Sequence, residues 1–457
     1  MNILKRKIDL DSIKKIFILL FEDKDLFNTT LNQGFKLISG PLFLLLIPFY
    51  ISREVQGYWF SFMSISALSI LADLGFTIII LQFSAHEFAF LKYENQVLSP
   101  IEDKLNVHLE RLASVFRFSI NWLKKIILLA FPIILVIGFW LFNSKDDNVN
   151  WLLPWIVYTL GAAIMFANTV ILSFIEGCNN VAITQRIRFY NTLINFIILF
   201  PLLILGFNLF ALAISLLLSS LLTSVIIILK FRSFLNQLWV LSKANYYNLF
   251  PEFWLFFKKY SLSVVSGFLV IQIFTPLAFH FYGAVEAGKV GLTMSLATAI
   301  FSISNVWFQS IAPRVNILTS QKNWSILNKL IFERLIFALL TYLISFAFFG
   351  LIFYQLQNSF FTKITSRFLP PVGILILFFY WLIQLPVYIM AFYLRAHKKE
   401  PYMYLSIFGA VGTVFLTILT VNFLPFQYIY LSLLITAIIG FPFAYSIFVK
   451  KKSDWCT

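Results

Sequence analysis

The stretch ISALSILADLGFTIIILQFSAHE, Ile65 to Glu87, is apolar enough to cross a bilayer, yet it carries a carboxylate, Asp73, in its middle. Its remaining polar residues are small and uncharged until His86-Glu87. The chain around it has the same character: of 457 residues, 60% are hydrophobic and 12% charged, against about 25% charged in a soluble domain. Runs of about 20 apolar residues, the length that crosses about 30 Å of hydrocarbon, recur from end to end. Twelve spans are predicted: 31–51, 58–80, 122–142, 151–174, 189–207, 208–229, 260–282, 290–312, 332–354, 372–394, 403–421 and 428–449.

The net charge of +15 is distributed along the chain in a way that assigns it to topology rather than to nucleic acid. With a cytoplasmic N-terminus, 29 of the 35 Lys and Arg residues fall on the inner side. Five (Arg53, Lys145, Lys289, Lys363, Arg367) fall outside, and Lys36 lies within the first span. Both termini are therefore expected in the cytoplasm. The basic start contains only the short apolar run IFILLF, which reads as an interfacial helix rather than a signal peptide. Cys178 and Cys456 make no disulfide framework.

The outer connections are short (SREVQG, NSKDDNVN, GAVEAGK, NFLPFQ), whereas the inner connections 81–121 and 230–259 are long, aromatic and basic, as leaflet-bound amphipathic helices would be. The second of these divides the spans six and six. The expected domains are an interfacial segment 1–30, a first lobe 31–230, a linker 231–259, a second lobe 260–449 and a tail 450–457. A faint repeat accompanies the division: Gly57 and Ser64 on the second span match Gly288 and Ser295 on the eighth, and a Ser-Gly pair stands on the first and seventh.

At 100° per residue, Ser66, Ser69, Asp73, Thr77, Ser84 and Glu87 share one face of a continuous second helix. On the eighth, Ser295, Thr298, Ser302, Asn305 and Gln309 do the same. Serines and threonines alone are explained by helix packing. Asp73 needs more, because a mid-span carboxylate costs about 2.5–3.5 kcal/mol and must face a cavity, a proton path or a partner. An ion pair with Lys36 is the structural alternative, and Lys36 itself also reads as a residue snorkelling to the headgroups.

No enzyme constellation is present. The four histidines are scattered without metal-ligand spacing, Asp146-Asp147 reads as a solvated turn, and there is no phosphate-cradling glycine loop. Neither a metal nor a cofactor is expected.

The segment Asn32 to Glu87 resembles the first two spans of Wzx-type O-antigen (polysaccharide) flippases, in the superfamily shared with multidrug and toxin extruders. The resemblance rests on Gly40-Pro41, Glu54-x-x-Gly57-Tyr58-Trp59, Leu74-Gly75-Phe76 after Asp73, and Gln82-Phe83 before His86-Glu87. It implies an all-α, twelve-helix membrane protein with two six-helix lobes around a central cavity. Its implied work is moving undecaprenyl-pyrophosphate-linked oligosaccharide from the inner to the outer leaflet of the bacterial inner membrane, for O-antigen or related surface polysaccharide. The implied partners are the lipid-linked oligosaccharide, membrane lipids, a polysaccharide polymerase and a chain-length regulator, and no nucleic acid. On this reading Asp73, Glu87, Ser66, Ser69 and Thr77 serve the cavity or cation coupling, and Asp73 couples transport to a proton gradient. The stripe from Ser295 to Gln309 lines the second lobe, and Lys36, Arg314 and Arg395 meet the pyrophosphate. A drug exporter of the same superfamily, or less readily a polymerase or acyltransferase, stands as the alternative.

The charge partition yields a test. In a variant lacking Cys178 and Cys456, a cysteine at Asp147 should react with an impermeant maleimide in sealed cells. Labelling only after permeabilisation would reverse the topology.

Overall fold

The computed structural model describes residues 24–69, 73, 75–94, 97–101, 106–144, 149–244, 247–248, 250–309, 311, 315, 318–319, 321–357, 362–397 and 401–455. The first expected span is helix α1 (Lys24–Tyr50), and the second is interrupted, forming α2 (Arg53–Ser66) and α3 (Phe76–Phe88). A two-stranded antiparallel hairpin, β1 (Leu91–Glu94) and β2 (Val97–Pro100), follows. The first half continues through α4 (Asn106–Phe142), α5 (Leu152–Gly177), α6 (Val181–Ile204) and α7 (Leu209–Ala244).

The second half comprises α8 (Phe250–Gln272), α9 (Phe274–Tyr282), α10 (Ala284–Gln309), α11 (Trp324–Gln357), α12 (Pro371–Arg395), α13 (Met403–Phe423) and α14 (Leu431–Trp455). Among the described residues, ten helical stretches are long and apolar enough to cross a membrane. They begin with α4, and α8 and α9 together make one of them. The protein is an all-α polytopic membrane protein.

Two connections differ from expectation. The inner connection 81–121 holds the end of α3, the hairpin and the start of α4 in place of a leaflet helix. The stretch 231–259 is mostly the continuation of α7 and the first turns of α8. At about 1.5 Å per residue the 36 residues of α7 reach about 54 Å, far more than the hydrocarbon thickness, so α4 and α7 project beyond it together. They are tied at that end, which also carries the C-terminus and is called the near end. There Arg117 donates to Ser242 O at 2.8 Å, and Leu98 N–H to Gln237 Oε1 at 3.0 Å.

The two halves meet most extensively at the opposite, far end, where α2 crosses α10, and again where Phe253 of α8 packs on Phe76 of α3 and Trp122 of α4. Gly57 lies so close to Ala284 that a Cβ would collide with its carbonyl, and a Cβ at Gly288 would stand 3.0 Å from Gly57 N. Small residues at a crossing let backbones approach and gain dispersion contacts that lipid cannot replace. The seam is reinforced by hydrogen bonds. Gln56 Nε2 donates to Gly288 O (3.0 Å), Arg367 to Ile51 O (2.7 Å), and Arg53 to Ser366 Oγ (2.9 Å). Beside it Tyr58, Phe62, Phe142, Trp155 and Phe279, from α2, α4, α5 and α9, form one buried aromatic cluster with centroids 4.9–5.4 Å apart where they touch.

A glycine comparison tests the seam. Gly57→Ala should destabilise the protein by about 1–3 kcal/mol through overpacking. Gly409→Ala, on α13 with nothing within 4 Å of the added carbon, should be neutral or stabilising by up to about 1 kcal/mol. Thermal unfolding in detergent reads both, and equal effects would remove the seam from the account.

Candidate functional site

The interruption of the second span sits where the sequence places its carboxylate. Helix α2 stops at Ser66, and the chain turns through Gly75, whose φ of 82° is left-handed and costs a glycine nothing, before α3 starts at Phe76. The first N–H groups of α3 then lack helical partners in a region without bulk water. Asp73 supplies the acceptor: Oδ1 takes the N–H of Thr77 at 3.2 Å and Oδ2 its hydroxyl at 2.9 Å, with the side chain buried. The positive end of the helix dipole favours a carboxylate here.

This corrects two expectations. Ser66, Ser69, Asp73, Thr77, Ser84 and Glu87 do not share a line on one continuous helix, because α2 and α3 are separate. Asp73 makes no ion pair with Lys36 among the described residues; Lys36 is exposed on α1. Ser66 closes the end of α2, its hydroxyl 3.1 Å from Met63 O and 3.4 Å from the Tyr158 hydroxyl, and Ser69 is half-buried within the break. The interruption was signalled by Asp73-Leu74-Gly75, an acceptor two residues ahead of a glycine.

Glu87 stands apart from Asp73, at the near end of α3. Its buried carboxylate lies 2.7 Å from His108 Nδ1 and accepts from Arg111 Nε at 3.0 Å, both on α4, and Phe90 stacks on the His108 ring at 4.1 Å. In this arrangement it clamps α3 to α4.

A second polar group, missed in the sequence, joins α1, α5 and α6 at the near end. Asn32 Nδ2 donates to Gln185 Oε1 (2.8 Å), Gln185 Nε2 to Glu176 Oε1 (2.9 Å), and Arg186 Nε to Asn28 Oδ1 (3.1 Å). Arg188 pairs with Glu176 at 2.8 Å. Lys36 is one turn along α1 from Asn32 and within electrostatic reach of Arg188. Of the three cations in this group, Arg188 is paired with Glu176, Arg186 is held by Asn28, and Lys36 stands within reach of Arg188. The signal was EGCNN followed by TQRIR, polar residues flanking the tight turn between α5 and α6.

In the second half, Ser295, Thr298, Ser302 and Asn305 lie on one face of α10. The first three are half-buried, and Ser302 bonds back to Thr298 O at 2.8 Å. Asn305 is buried and its Oδ1 has no partner among the described residues. Gln309 ends α10, Arg395 is exposed in the last turn of α12, and Arg314 lies outside the described residues. Among the described residues no group of His, Cys, Asp and Glu is placed to hold a metal ion.

No family model and no curated protein matches the sequence. Solved structures do match the fold. A MATE transporter in its bent conformation is 16% identical over 94% of this chain and 95% of its own, with a TM-score of 0.54. An inward-facing multidrug resistance MATE transporter of the MOP superfamily is 16% identical over 90% of this chain and 98% of its own, also at 0.54. This chain has the fold of the MATE transporters. The outward-facing MATE conformation matches as well, at 17% identity over 96% and 98% of the two chains and a TM-score of 0.54, so the likeness does not select a conformational state. The structures it resembles are transporters rather than enzymes.

The capping role of Asp73 separates two substitutions. Asp73→Asn keeps an acceptor for Thr77 N–H and should fold with near-native stability. Asp73→Leu removes the cap and should cost about 1 kcal/mol. Melting of the purified variants measures the difference, and equal stability of the two would deny Asp73 the cap.

Proposed function

We propose that this chain is an alternating-access flippase that carries undecaprenyl-pyrophosphate-linked oligosaccharide from the inner to the outer leaflet of the bacterial inner membrane, for O-antigen or a related surface polysaccharide. The near end is then cytoplasmic. The observation that carries the reading is the near-end group on α1 and α6 that holds Lys36, Arg186 and Arg188, of which only Arg188 is paired with a carboxylate, Glu176, among the described residues. A pyrophosphate pays heavily to leave water, and Arg and Lys at a partly desolvated mouth offset that cost through charge-assisted hydrogen bonds.

The multidrug-exporter reading fits the fold equally well. A site for organic cations needs a carboxylate left for its cargo. At the near end and at the interruption of the second span, Asp73, Glu87 and Glu176 are each engaged by donors of the protein itself, which supports an anionic cargo at that end. Movement would exploit the turns at Ala67-Leu68 and Gly75 and the break at Ile273, where α8 gives way to α9, since each gives a span segments able to reorient. The seam between α2 and α10 is the contact that must part for release at the far end. Asp73, buried at the interruption, is the group whose protonation would couple that change to a gradient.

Deleting the gene should make the lipid-linked oligosaccharide accumulate on the cytoplasmic leaflet. In proteoliposomes, Lys36→Gln with Arg186→Gln should slow its transfer by about tenfold, equivalent to about 1.4 kcal/mol. Asp73→Asn should abolish the dependence on a proton gradient. Unchanged leaflet distribution after deletion, together with export of a cationic dye by the purified protein, would favour the exporter.

A further inference from the structure

At the far end of the first half lies a cavity of about 680 Å³ that none of the interactions above uses. It is within the range of about 300–1,000 Å³ typical of small-molecule sites. Three parts of the chain wall it. The first turn of α2 brings Glu54, the connection entering α5 brings Asn150, and the turn between α6 and α7 brings Phe207, Asn208 and Phe210.

That last turn is held firmly. Gly206 N–H donates to Leu203 O and Phe207 N–H to Leu202 O, both at 3.0 Å, while Asn208 sits at a φ of 49°, a left-handed conformation that Asn and Gly adopt readily. The side-chain amides of Asn150 and Asn208 have no protein partner among the described residues. Both line the cavity with donors and acceptors to spare.

The charge of the cavity is set by Glu54. Hydrogen bonds from its own backbone N–H and from Ser52 hold its carboxyl below the usual carboxylate range against a smaller opposing effect of burial, and Arg367 and Arg53 add to the lowering. The two guanidiniums are themselves spent on the seam, Arg367 on Ile51 O and Arg53 on Ser366. Among the described residues the walls therefore present one ionised acceptor, two amides and two phenyl rings. A sugar fits such a surface, since hydroxyls donate to the carboxylate and pair with the amides while the apolar C–H face of the ring lies against phenyl groups.

We propose that this cavity is a saccharide subsite, which receives the neutral or amino-sugar end of the cargo through Glu54, Asn150 and Asn208 with Phe207 and Phe210 as apolar walls. It rests on the cargo assigned above and adds to it a division of labour: cations meet the pyrophosphate at the near end, and uncharged polar groups beside one carboxylate meet the glycan at the far end.

The test uses the full-length protein in nanodiscs. The probe is the free oligosaccharide released by mild acid from the polyprenyl-linked glycans of the source cells, with binding read by saturation-transfer NMR and calorimetry. Asn208→Gly keeps the left-handed backbone, and Asn150→Ala alters an exposed connection, so the double variant should fold. Wild type should bind the oligosaccharide saturably, the double variant should bind it at least about tenfold more weakly, and inorganic pyrophosphate should not compete. Equal binding by the double variant, competition by pyrophosphate, or no binding by wild type would overturn the subsite. Parallel transport of the lipid-linked form separates the two readings. A wild type that transports while the variants bind sugar unchanged loses the subsite alone, whereas sugar binding lost in the variants establishes the subsite even if the wild type transports nothing.

Discussion

The contact on which the two halves depend is the crossing of α2 and α10, where glycine lets one backbone touch another. In hydrocarbon there is no hydrophobic drive to join helices, so association rests on dispersion and on hydrogen bonds between groups that lipid cannot satisfy. Gly57 against Ala284 and Gly288 supplies the first, and Gln56 with Arg367 the second. The pair that appears in the sequence as a faint repeat, Gly57 with Gly288, is thus a contact between the halves.

The same lack of solvent explains the second span. An interruption inside the membrane exposes N–H groups that cost several kcal/mol each if left alone, so a break requires an acceptor at hand. Asp73, two residues before Gly75, provides it. Its insertion cost is thereby offset by two hydrogen bonds and the field of the half-helix. A carboxylate in this setting stabilises the break where the span bends.

The two ends of the molecule carry different polar groups. At the near end Arg186 and Arg188 are held by Asn28 and Glu176 beside Lys36, while the far end combines Glu54, amides and rings with the guanidiniums of Arg53 and Arg367 on the seam. For a cargo with an anionic and a sugar end, this arrangement gives each end a distinct environment.

Hydrophobic length by itself determined the all-α membrane architecture, because crossing about 30 Å of hydrocarbon constrains every residue of a span alike. Ser295, Thr298, Ser302 and Asn305 on one face were legible for a related reason, since helical periodicity fixes a face without reference to neighbours. The turn at Gly75 was not, although Asp73-Leu74-Gly75 marked it: apolar periodicity runs through a short interruption unchanged, and only the left-handed Gly75 and the hydrogen bonds of Asp73 to Thr77 reveal it. Nor were the clamp of Glu87 on His108 and Arg111, the group around Glu176, or the far-end cavity, whose parts lie up to about 150 residues apart in the chain. Only the tertiary structure decided which polar groups are spent on one another and which remain available to a ligand, because hydrogen-bond satisfaction belongs to the assembled helices and to no single segment.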